Sequence, residues 1–287
     1  MSTGGEPPDS IPASPRAEEQ ADRAAGARAR APHAGRQATP GRAISLFLIL
    51  FALLLILGVP LQQRFGLEGL ALVQLIFVLG GSSLYAWGTG LSRREVLGER
   101  RVRPDVAVGA ALLGSSVWFI PMAVILPLQS RILPPPEEFL RERETLFSQP
   151  HTLGGWLILW GIAALTPAIC EEILFRGVLL SSSRPRLGDL RAVVLVSGLF
   201  ALFHMNPYQL SITFLLGLVM GGLRVKTGSI LSPMLFHLLN NTVILLLARR
   251  VADLPAPVAL LMIAAMGLGL ALVLRGAERL PTVRDRR

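Results

Sequence analysis

Glu171 and Glu172, with Arg176 one helical turn further on, sit inside an otherwise apolar run, residues 168–180. A charged side chain at bilayer depth costs about 2.5–3.5 kcal/mol on insertion scales, so three in one segment need a reason to be there. Glu172 and Arg176 are four apart with the glutamate N-terminal, the order that pairs best on a helix. That pairing eases the insertion of both. Glu171 projects about 100° away around the helix, and its i+4 neighbour is Phe175. It is therefore the carboxylate free to accept a proton. The competing reading is a salt-bridge patch between helices with no chemistry.

Two further polar pairs lie in later apolar runs. Phe200 and His204 share a helix face, so the ring can wall a pocket into which the imidazole points. His237 and Asn241 also share a face, which suits an oxyanion-binding pair. Each could instead be hydrogen-bonding glue between helices. Depth argues for one layer. Counted from Leu187, Glu171 lies about as far back as His204 lies forward, on the order of 20 Å at 1.5 Å per residue, and His237 sits on the order of 16 Å beyond Lys226. Pro167, four residues before Glu171, is expected to kink its helix and open space beside the carboxylates. Pro233 either does the same before His237 or starts a helix. Cys170, the single cysteine, is expected to be a small apolar filler.

The elements that must position these residues are helices in a membrane. Hydrophobic residues make up 52% of the chain and its mean hydropathy is +0.54, which places it among integral membrane proteins. Runs approaching or exceeding 18 apolar residues predict an all-α, polytopic fold. Eight spans are expected, near 43–60, 67–88, 105–128, 154–180, 191–206, 208–224, 228–247 and 256–274, with a mid-membrane polar site. The short alternating segments of a β-barrel are missing. Residues 1–42 carry almost no large apolar side chains and read as a disordered cytoplasmic tail. Residues 43–274 form the transmembrane domain and 275–287 a second cytoplasmic tail. Residues 137–147 suit an interfacial helix or a solvated one equally. Gly217 and Gly221 suit close helix packing.

The net charge of +9 does not imply nucleic acid, because the basic residues follow topology. An N-in orientation gathers Arg28, Arg30, Arg36, Arg42, the 93–103 and 184–191 loops, Arg224, Lys226 and the C-terminal tail on one side. Arg64, Arg131, Arg141, Arg143, Arg249 and Arg250 are left on the other. The positive-inside rule then puts both termini in the cytoplasm. Arginine far outnumbers lysine and Ala, Gly and Pro are abundant, which points to a bacterium, and so to its inner (cell) membrane.

Glu171-Glu172-xxx-Arg176, Phe200-xxx-His204 and His237-xxx-Asn241, in that order on three apolar helices, resemble the CPBP (Abi) intramembrane proteases. That family includes the type II CAAX prenyl endopeptidases. The resemblance covers about 155–245; the remaining spans match only in being apolar. It implies that Glu171 activates the hydrolytic water and that His204 helps hold the water or a metal. His237 and Asn241 would stabilise the tetrahedral oxyanion, with Glu172 and Arg176 supporting the geometry. Zn²⁺ is a candidate cofactor, with Glu171, His204 and His237 as ligands of acceptable type. A metal-free water is preferred, because ligation by Glu171 would remove the base and no HExxH is present. The implied partners are membrane lipid and a peptide or membrane-protein substrate. A non-catalytic scaffold or bacteriocin-immunity-type protein is the alternative, and a proton- or ion-relaying transporter a more distant one.

Overall fold

A computed structural model describes residues 38–98, 102–137, 152–247 and 255–278. Most of the expected N-terminal tail, all but the first residue of the 137–147 segment and most of the C-terminal tail lie outside them. The described residues are all-α apart from one isolated bridge, Gly98 to Ser229. Four helical stretches are long and apolar enough to cross a membrane: Pro40–Thr89, Leu153–Leu187, Leu210–Thr227 and Ala256–Gly276.

The first stretch, α1 (Pro40–Thr89), has 50 residues. A straight helix of that length would run about 75 Å, more than twice the thickness of a hydrocarbon core. It does not run straight. Gly66 takes φ 56° and ψ −124°, a conformation open to glycine because it has no Cβ. The chain folds back there, and the two legs pack antiparallel with Leu50 against Gly81 and Val73 against Gly58. The legs correspond to the spans expected at 43–60 and 67–88.

After a short helix α2 (Arg93–Leu97), the expected 105–128 span is interrupted. Helix α3 (Pro104–Ser116) stops short, and a π-helical turn, Pro121–Ile125, leads into α4 (Leu126–Ile132). The side chains of Ser115 and Ser116 hydrogen-bond back to the Leu112 carbonyl, and the Trp118 indole bonds the Ser115 carbonyl. Such back-bonding bends helices, and Pro121 offers no N–H to the turn before it. Next come α5 (Leu153–Leu187), α6 (Asp189–Phe203), α7 (Leu210–Thr227), α8 (Leu231–Leu247) and α9 (Ala256–Glu278). The loop expected at 184–191 is instead helix on both sides of Gly188, which turns the chain at φ 75°.

Large apolar side chains face outward along these helices, among them Ile56, Leu84, Trp87, Leu157, Leu260 and Leu261. Glutamate, arginine, glutamine and histidine are buried inside. That inversion of the soluble pattern fits a lipid surround. Phe47, Leu174, Phe175, Leu179, Phe200, Met220 and Phe236 fill the interior. Glycines set the closest approaches. A Cβ on Gly217 would meet Ser197, and one on Gly221 would meet Val193, so α7 lies tight against α6. On α3, Gly114 abuts the Phe236 backbone of α8.

That last contact predicts that Gly114→Ala forces α3 and α8 apart. Overpacking of this kind costs about 1–3 kcal/mol. The variant is expected to melt below wild type in detergent. An unchanged melting curve would mean that the two backbones are not this close.

Candidate functional site

Helix α5 carries the two carboxylates halfway along its length. Glu172 is 0% exposed and Arg176 is 1%. Arg176 Nη1 donates to Glu172 Oε1 at 2.7 Å, the expected i,i+4 pair. The guanidinium also donates through Nη2 to the Gly217 carbonyl of α7 at 3.2 Å and lies 4.5 Å from the centre of the Phe200 ring. Arg176 therefore ties α5 to both α6 and α7. The turns between Ile173 and Leu179 are π-helical, a widened geometry common where a helix must re-aim side chains at a site.

His237 enters from α8. Its Nδ1 lies 2.9 Å from the same Glu172 oxygen. A carboxylate can only accept, so Nδ1 carries the proton and Nε2 points away with its lone pair. His204, at the end of α6, repeats the pattern: its Nδ1 donates to the Phe200 carbonyl at 2.9 Å. The same Phe200 ring packs against both imidazoles, with centroids 4.7 Å from His204 and 6.0 Å from His237. Phe200 thus touches two histidines and an arginine.

The residue after His204, Met205, takes φ 50°, a left-handed conformation rare for a side chain of this kind. It turns the chain from α6 towards α7. The turn is closed by Asn206, whose side chain accepts from the Tyr208 amide, and it is held from α4 by Gln129, which donates to the Tyr208 carbonyl and accepts from Ser211.

Glu171 belongs to a different hydrogen-bond set. Its Oε1 accepts from Gln74 Nε2 at 2.6 Å, across from the second leg of α1. Its Oε2 is buried and makes no hydrogen bond to protein. Gln74 Oε1, Glu172 Oε2, Arg176 Nε and Asn240 Oδ1 share that condition. Buried polar atoms need partners, so this cluster has spare hydrogen-bonding capacity for solvent or a polar ligand. Gln74 was not among the residues singled out from sequence. Its signal is plain in retrospect: it is an amide within the apolar 67–88 run.

Asn241 makes other contacts. Its Nδ2 donates to the Ala163 carbonyl at 3.5 Å, and its Oδ1 accepts from Asn240 at 3.4 Å. In a regular helix the Ala163 carbonyl would accept from residue 167, but Pro167 has no N–H. Ala163 lies in a π-helical stretch, Gly161–Leu165, just before that proline. One Nδ2 hydrogen is left over, and no hydrogen bond links Asn241 to Glu171, Glu172, Arg176, His204 or His237.

Glu171, His204 and His237 are donors of the types zinc takes. Among the described residues, however, no three His, Cys, Asp or Glu side chains converge on a point where a metal ion could be held. Gln74 occupies one oxygen of Glu171. As arranged, the residues do not fit a three-ligand metal centre.

Residues 153–243 match the family model described as Rce1-like: Type II CAAX prenyl endopeptidase Rce1-like. This stretch is an Rce1-like domain of the CPBP family. The resemblance drawn from the three motifs holds over nearly the same residues. No curated protein and no solved structure matches the chain. The Rce1-like domain holds Glu171, Glu172, Arg176, His204, His237 and Asn241, whereas Gln74 lies outside it.

Proposed function

We propose that the protein is an intramembrane endopeptidase that hydrolyses peptide bonds with a water activated by Glu171. The observation that carries this reading is the state of the Glu171 carboxylate. It is buried, one oxygen is held by Gln74, and the other makes no hydrogen bond to protein.

The chemistry follows from the donors and acceptors. Glu171 Oε2 takes a proton from water, and the resulting hydroxide attacks the scissile carbonyl. His204, with Nδ1–H given to the Phe200 carbonyl, offers Nε2 as an acceptor that orients the water. His237 gives its Nδ1–H to Glu172. With Nε2 protonated as well, that nitrogen donates to the oxyanion, with the second Nδ2 hydrogen of Asn241 as a further donor. Glu171 then passes its proton to the leaving amine. Arg176 holds Glu172 in place. We read the chain as multi-pass, with both termini on the cytoplasmic face of a bacterial inner membrane and a peptide or membrane-protein segment as substrate.

The Glu172–Arg176–His237 network also favours a second reading, a scaffold in which buried ion pairs only join helices. Profiling of protein N-termini in membranes from cells expressing wild type or Glu171→Ala separates the two. Termini that disappear in the variant are expected of the protease. Identical profiles at equal protein levels would leave the scaffold.

A further inference from the structure

We propose that Gln74 is a positioning residue for Glu171, so that the reacting carboxylate is oriented from outside the Rce1-like domain. The inference rests on the hydrolytic reading above and adds a residue that the family match does not contain.

The geometry is specific. Gln74 and Glu171 are separated by 97 positions in the chain, yet Nε2 lies 2.6 Å from Oε1. Both side chains are buried, at 5% and 6% exposure. The neighbours of Gln74 along its leg of α1, such as Val73, Leu75, Ile76 and Val78, are apolar. An amide there costs free energy unless it is hydrogen-bonded. Gln74 also lies in a π-helical stretch, Val73–Gly80, whose wider turns change the direction in which its side chains project.

The chemical consequence concerns which oxygen reacts. A carboxylate has two oxygens, and rotation about its last bond exchanges them. An N–H held on Oε1 opposes that exchange. Oε2 is then presented as the acceptor, and it is the oxygen without a protein partner. On α5 itself the charged neighbours of Glu171 are Glu172 and Arg176, and these two engage each other. Gln74 is thus the described group that fixes Glu171.

The test uses the full-length protein. N-terminal profiling first identifies a peptide bond whose cleavage disappears in Glu171→Ala, and a quenched fluorescent peptide spanning that bond then serves as the kinetic probe. Gln74→Met keeps the length and volume of the side chain but removes the donor, and Gln74→Asn keeps the amide but shortens its reach. Removing an orienting partner of a reacting group typically costs 10- to 100-fold. Gln74→Met is expected to lose about that factor in kcat, with KM within about twofold and wild-type melting; Gln74→Asn is expected to fall between it and wild type. A merely structural role would lower the melting temperature or raise KM and leave kcat alone. Wild-type kcat in Gln74→Met would overturn the inference while leaving the hydrolytic reading intact. If no terminus depends on Glu171, the hydrolytic reading fails and the inference falls with it.

Discussion

Glu171→Gln is expected to lower turnover by roughly 10²–10⁴-fold, the range assigned to a positioned general base, while leaving the fold at least as stable. The two halves of this expectation come from different atoms. Glutamine retains a carbonyl oxygen to accept from Gln74 Nε2, so the 2.6 Å contact survives. Its new amide can donate to Gln74 Oε1, which has no protein partner. Replacing a buried charge by a neutral group that keeps its hydrogen bonds is neutral or stabilising. What the amide cannot do is take a proton from water. The measurement is kcat on the Glu171-dependent peptide, alongside melting in detergent. A variant that melts as wild type but does not turn over assigns the loss to chemistry. Turnover within a few-fold of wild type would remove Glu171 from the reaction.

The contrast with Glu172 sharpens this. The two carboxylates are adjacent in sequence, but Glu172 Oε1 accepts from both Arg176 and His237 whereas Glu171 meets an amide. Adjacent positions on a helix face directions about 100° apart, so one glutamate can be bound up in packing while its neighbour stays available.

Much of the α5 arrangement was legible because helical spacing is local. The Glu172–Arg176 pair follows from i,i+4 geometry, and so does the placement of His204 below Phe200. The family resemblance rested on the same spacings. Sequence could not show what crosses between helices. Nothing along the chain links Gln74 to Glu171 or Arg176 to the Gly217 carbonyl, because those contacts depend on how α1 and α7 pack. The interruption of the third expected span was hidden for a similar reason. Hydropathy measures composition, so it reads 105–128 as one run, while serine back-bonds and Pro121 divide it. Among the described residues four stretches meet the length and hydropathy of a span, and the first of them folds into two of the expected legs. Pro167 was expected to open the helix; one turn before it the helix is π-helical, and the Ala163 carbonyl there accepts from Asn241.

Arg176→Met is expected to be the most destabilising single change at this site. Methionine fills much of the same space against Phe200 but leaves Glu172, which is fully buried, with His237 as its one remaining hydrogen-bond donor. It also abandons the Gly217 carbonyl, a bond that helps hold α7 to α5. Breaking a buried pair by removing one partner costs about 3–5 kcal/mol. For a chain of this size that corresponds to a melting temperature lower by roughly 6–20 °C. If the penalty comes from the stranded carboxylate and not from lost packing, removing the second charge relieves it. The double variant Glu172→Gln/Arg176→Met keeps an acceptor for His237 Nδ1 and buries no unpaired ion. It should therefore recover at least half of the loss, so that the two substitutions are strongly non-additive. Melting of the two single variants and the double in one detergent decides the matter. Additive losses, with the double variant worse than either single, would mean that Arg176 stabilises chiefly through its contacts with Phe200 and α7. The ion pair would then be a consequence of the fold and not one of its supports.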